Sequence, residues 1–159
     1  MKQHTISIWL KAIIIFTSII GIVFTIGVLS LKLALFETTT APALTRPYLF
    51  IYIMVLFYIM LFHFWKVCTE IGKENSFSLS NSKSFMHMAI CTFAMSVGCL
   101  VKNIYNLQRY DLPGNTITGF PYMFIYTTLF FFCISLLCLC LSQLIRIAYE
   151  EKDELDRTI

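Results

Sequence analysis

Four long apolar runs, parted by short polar breaks, set the solvent in which this chain must fold. Ala12–Leu31, Tyr48–Trp65, Phe85–Val101 and Leu112–Ile145 contain no Asp, Glu, Lys or Arg. The hydrocarbon core of a bilayer is about 30 Å thick, and a helix needs about 20 residues to cross it. Runs of this length and purity predict an all-α, four-helix transmembrane bundle. The expected spans are about 6–36, 48–67, 85–107 and 121–145, with a loop at 68–84 and a polar tail at 146–159. Little chain is left over for a soluble unit, so residues 1–159 read as a single integral membrane domain.

Composition agrees. The hydrophobic fraction is 58% and the mean hydropathy +0.76, above the roughly 45–50% apolar content of soluble domains. The formal charge of +3 is small and scattered. Without a basic stripe or an aromatic-basic platform, direct nucleic-acid binding is not expected. Lys2 and Lys11 flank the start of an apolar stretch that is too long for a signal-peptide core, and no small-x-small cleavage site follows promptly. It reads as a permanent first span. Cys91, Cys99, Cys133, Cys138 and Cys140 lie inside apolar runs, with Cys68 just after the second. None has zinc-type CxxC spacing, and they read as free thiols packing as small apolar groups.

Within the first span, Thr17, Ser18, Gly21 and Thr25 form a strip of small residues at helical spacing. Such strips let helices approach closely in lipid. Pro42 and Pro47 break the chain before span two, whose aromatic residues cluster toward both ends. In the central loop Gly72 is a candidate helix end. Ser78, Ser80 and Asn81 are candidate N-caps for span three, and Phe77 a candidate staple just outside it. Pro113-Gly114 marks a turn before span four.

Orientation follows the lysines and arginines flanking the spans. Lys2, Lys11, Lys66, Lys73, Lys83, Arg146, Lys152 and Arg157 fall on one side, and Lys32, Arg46, Lys102 and Arg109 on the other. Eight against four predicts both termini in the cytoplasm.

Two stretches carry a family resemblance. Gly72-Lys73-Glu74-Asn75-Ser76-Phe77-Ser78-Leu79-Ser80-Asn81 resembles a G-x-P-F-S-x-x-N signature. Glu151-Lys152-Asp153-Glu154-Leu155-Asp156-Arg157-Thr158-Ile159 resembles an acidic E-x-N-E-L-T-I ending. Both are similar to motifs of small four-helix bacterial membrane proteins catalogued as domain of unknown function 2975. Ser76 stands where that family usually has proline, and Asp156-Arg157 intervenes before Thr158-Ile159. The resemblance implies a multi-pass protein of the bacterial cytoplasmic membrane, often encoded beside a small helix-turn-helix transcription regulator. It supplies no catalytic residues. The motif positions it transfers are Phe77, Ser78 and Asn81 in the loop, and Glu154, Leu155, Thr158 and Ile159 in the tail.

The chemistry-bearing residues are few. His63 and His87 should sit at similar depth on spans two and three and could ligate a metal or haem, with Cys68 a possible third ligand. A zinc site normally needs three or four protein ligands, and polar histidines at the interface are expected instead. No metal and no cofactor is expected. Lys32, Arg46, Lys102 and Arg109 form a possible outer collar for an anionic ligand or lipid headgroup, unless the lysines simply extend to the interface. All nine Asp and Glu lie outside the charge-free runs, whereas a proton-coupled pump usually keeps one inside. No enzyme constellation is present. The tail, with Glu150, Glu151, Glu154 and the apolar Leu155 and Ile159, suits contact with a basic cytoplasmic partner. These features lead to the expectation of a non-enzymatic membrane regulator or sensor acting with a small helix-turn-helix protein. The alternatives are a membrane-acting immunity or stress-tolerance protein against toxic peptides and, behind it, a small transporter or channel. Self-association into a homo-oligomer is compatible with each.

Overall fold

In a computed structural model the chain forms four helices: α1 Lys2–Phe36, α2 Tyr48–Gly72, α3 Leu79–Tyr110 and α4 Phe120–Thr158. The structure describes the backbone of residues 2–36, 48–73, 77–110 and 120–158, and the side chains of 5–30, 50–73, 77–104, 125–155 and 157. Among the described residues there is no strand. All four helices carry a stretch long and apolar enough to cross a membrane: Thr5–Ser30, Phe50–Gly72, Leu79–Ile104 and Ile125–Leu155.

The helices run up and down in sequence order. Ser7 meets Cys68, His63 meets His87, and Ser82 meets Ser142. The start of α1, the end of α2, the start of α3 and the end of α4 therefore lie together at one end of the bundle. Among the described residues, backbones approach one another only between sequence neighbours, most extensively between α3 and α4. α3 is the central element: half of its apolar window is buried, against very little of that in α1. Most large apolar side chains face outward, as the surface of a bilayer-solvated protein must, Phe16, Val23, Phe62 and Phe130 among them.

The α3–α4 contact has a strict seven-residue register. Ser82, Ala89, Ser96 and Asn103 on α3 meet Ser142, Ser135 and Thr128 on α4. Ser82 Oγ donates to Ser142 O at 2.9 Å, and Ser142 Oγ donates back to Ser82 O at 2.8 Å. Ser135 Oγ donates to Ala89 O at 2.9 Å and Ser96 Oγ to Thr128 O at 3.1 Å. Asn103 Nδ2 reaches Thr128 Oγ1 at 2.8 Å. Small side chains bring the two backbones close, and their hydroxyls then reach the opposing carbonyls. A seven-residue repeat keeps such a seam facing its partner along the whole contact.

The α1–α2 contact is built similarly but with fewer polar links. Ile14 and Leu61 form its buried centre with Cys68, which is fully buried. Ser7 Oγ donates to Cys68 O at 2.6 Å. Lys11 Nζ lies 5.5 Å from the centre of the Trp65 ring, a cation–π contact that accommodates the charge beside an apolar helix. Several hydroxyls not used between helices bond to their own backbone: Thr25 to Gly21 O, Ser30 to Ile26 O and Thr69 to Trp65 O. In lipid no water is available to take that role.

Two sequence expectations change. Much of the 68–84 segment is helical: α2 continues to Gly72 and α3 already begins at Leu79. Cys68 is not in a loop but in the α1–α2 core. The staple at Phe77 is absent, because that ring is 60% exposed and the position on which it would pack, one turn into α3, is Ser82.

Candidate functional site

The end of the bundle that gathers the α2–α3 connection and the C-terminus of α4 carries most of the singled-out residues. Ser78 is the N-cap of α3. Its Oγ accepts from the Asn81 N–H at 3.2 Å, and its carbonyl accepts from the N–H groups of Asn81 and Ser82. This is the geometry that a serine provides to free amides in the first turn. Of the three candidate caps, Ser78 takes the role. Ser80 instead receives a hydrogen bond on its carbonyl from Ser84 Oγ, and Asn81 is buried. Phe77 and Leu79 remain exposed on either side of the cap.

On the other side of the connection, α2 ends tightly. A Cβ on Gly72 would lie 2.7 Å from Ser7 Oγ and 3.0 Å from Ser7 Cβ. Only a residue without a side chain lets the start of α1 lie against that turn. The glycine expected as a helix end is thus also required by close approach.

The polar tail is an extension of α4, not a separate segment. With Ser82 level with Ser142, the antiparallel register places Ser78 level with Arg146. Among the described residues no other helix accompanies α4 beyond that level, from Arg146 to Thr158. Thirteen residues project about 20 Å at 1.5 Å each. Two ion pairs brace this projection: Arg146 Nε to Glu150 at 2.8 Å and Arg157 to Asp153 at 2.8 Å, both at i,i+4 spacing. Exposed i,i+4 pairs of this kind support a helix only weakly, because water and salt screen them. Glu150 thereby has an internal role. Glu151, Glu154 and Leu155 are exposed, Leu155 by 64%. The side chain of Thr158 and all of Ile159 lie outside the described residues.

Elsewhere, His63 and His87 do meet, with stacked rings 4.9 Å apart and 26° from parallel. The rings meet by their faces, whereas an imidazole binds a metal through a ring nitrogen in its own plane, so the stacking contact is not itself a ligand arrangement. Among the described residues no group of three His, Cys, Asp or Glu converges on a common point. Of the collar, Lys102 is half-buried near the far end of α3. Arg46 lies outside the described residues, as do the side chains of Lys32 and Arg109. In the first-span strip, Thr17, Ser18, Gly21 and Thr25 are all half-buried.

The helical projection and the α3–α4 serine register both had signals in the chain. The first is the pair of i,i+4 charge spacings, Arg146 to Glu150 and Asp153 to Arg157. The second is the recurrence of small residues every seven positions, at 82, 89 and 96 and again at 128, 135 and 142.

A family model described as "Protein of unknown function (DUF2975)" matches residues 37–159. The chain belongs to that family. The DUF2975 match takes in α2, α3, the whole of α4 with its projection, and the capped connection between α2 and α3; α1 lies before it. Neither the curated proteins nor the solved structures contain a match to the chain.

Proposed function

We propose that this DUF2975 protein is a non-enzymatic regulator of the bacterial cytoplasmic membrane that docks a small, basic helix-turn-helix protein on its projecting α4 helix. In this reading both termini face the cytoplasm, as the excess of Lys and Arg at that end suggests. The observation that carries the proposal is the projection itself. Among the described residues no other helix accompanies it over about three and a half turns, and it exposes Glu151, Glu154 and Leu155. An apolar residue among carboxylates on a braced helix suits a partner whose surface is basic with a hydrophobic centre. DNA-binding proteins present a basic surface. Carboxylates bound there compete with DNA phosphates, so docking lowers DNA occupancy. Exposed Phe77 and Leu79, at the same end of the bundle, extend the available surface.

The test is a crosslinking pull-down from native membranes with full-length protein and with a form ending at Tyr149. Capture of a helix-turn-helix protein by the full-length form alone is the expected result. Equal capture by both forms moves the docking site to the α2–α3 connection. No such protein with either form refutes the proposal and favours a protein that acts within the membrane.

A further inference from the structure

An apolar groove of about 350 Å³ opens on the side of the bundle between α1 and α2, with α3 and α4 at its floor. Thr17 and Gly21 of α1, Met54 and Phe57 of α2, Met95 of α3 and Phe131 of α4 line it. Every one of these lies inside a membrane-spanning stretch, from its middle at Thr17 toward the end of the bundle that leads to residues 37–47 and 111–119. A Cβ on Gly21 would lie 3.2 Å from Tyr58 Oη and 3.6 Å from the Phe57 ring, so α1 and α2 approach closely beside the groove. What surrounds the protein at this depth is hydrocarbon. The volume lies at the lower end of the roughly 300–1,000 Å³ of ligand pockets. A cavity of about 150 Å³ holds one six-carbon ring, so this groove suits one chain segment of about a dozen carbons and not a whole lipid.

A charge stands at the correct distance. Lys102 follows Met95 by seven residues, which places it on the same face of α3 and about 10 Å further along the axis. That direction leads out of the hydrocarbon toward the interface, where the four-carbon stem of a lysine reaches headgroup level; Lys102 is half-buried there. An apolar slot with a cation above its open end is complementary to a chain with an anionic head.

We propose that this groove holds one acyl chain of an anionic phospholipid, with the lipid phosphate at Lys102. The site is separate from the α4 projection and stands whether or not a regulator docks there. α1 has few other buried contacts, so a lipid seated between α1 and α2 also ties that helix to the rest.

The test uses phosphatidylglycerol carrying a photoactivatable group midway along one chain, incorporated into vesicles with full-length protein, and peptide mapping of the labelled sites. Parallel vesicles carry the same group in phosphatidylcholine or in a free fatty acid. Labelling concentrated on the segments of Met54 and Met95 is expected, strongest with phosphatidylglycerol. Thr17→Phe and, from the opposite wall, Met54→Phe fill the groove and abolish it. Ile22→Phe, on the exposed face of α1, leaves it intact. Lys102→Gln lowers the phosphatidylglycerol labelling about fivefold, toward that of phosphatidylcholine, since one lysine near the surface is worth about 1 kcal/mol against an anionic lipid. Equal labelling by both phospholipids would remove the headgroup assignment, and stronger labelling by the free fatty acid would remove the phospholipid. Labelling spread evenly over exposed positions such as Phe16 and Phe130, unchanged by the filling variants, overturns the proposal.

Discussion

Replacing Ser82 and Ser142 by alanine, singly and together, tests how α3 and α4 are joined. Each hydroxyl donates to the other residue's backbone carbonyl, at 2.9 and 2.8 Å, while the two hydroxyl oxygens stand 3.2 Å apart. Because the acceptors are carbonyls, either mutation leaves the other bond in place. An interhelical hydrogen bond in a membrane protein is worth about 0.6 kcal/mol on average and about 1.7 at most. Each single variant should therefore cost about 0.6 kcal/mol and the double variant about 1.2. Two separate bonds should give a coupling near zero, below the roughly 0.5–3 kcal/mol usual for residues in contact. Ser82→Leu acts differently. It forces a branched side chain into a seam that small residues hold closed, for about 1–3 kcal/mol of overpacking. Reversible unfolding in mixed micelles, followed by helix content, measures all four. If Ser82→Ala alone costs as much as the double variant, the hydroxyls bond chiefly to each other and the reciprocal scheme is wrong. If Ser82→Leu is neutral, the seam is not close-packed.

Two further predictions follow from the same end of the molecule. Gly72→Ala places a methyl group 2.7 Å from Ser7 Oγ, so it should lower stability by about 1–3 kcal/mol. Ser7→Gly in the same chain should restore part of the loss, and an unchanged unfolding midpoint in Gly72→Ala would count against the close approach. In a cysteine-free background, Phe77→Cys and Leu155→Cys should both react with a membrane-impermeant maleimide from the same face, the cytoplasmic one in the proposed orientation. Reaction from opposite faces would contradict the register that puts the α2–α3 connection and the α4 projection at one end.

The two histidines illustrate how depth can be read from sequence while contact cannot. His63 and His87 occupy matching positions relative to their span ends, and the rings stack. Their orientation within the stack is a product of helix rotation, which depends on every other residue along the α2–α3 contact. The same limit applies to Phe77. Its place before the N-cap suggests a staple, but a staple needs an apolar partner one turn into the helix, and Ser82 is instead held by α4. Ser78 lay among three plausible caps because each has a suitable oxygen. Only the point at which the helix starts selects between them.

Length and charge-free composition were enough to specify four membrane-crossing helices, because the backbone in hydrocarbon must satisfy its own hydrogen bonds and a helix does so within one segment. The loop and tail motifs were enough to point to the family. Tertiary structure decided the rest. It made α3 the central helix, left α1 at the edge, opened an apolar groove beside Gly21, and set the register that lets α4 outrun its neighbours. Between helices in lipid there is no exclusion of water to reward burial in general. Packing therefore turns on which small residues and hydroxyls face one another, and that is settled only when the helices meet.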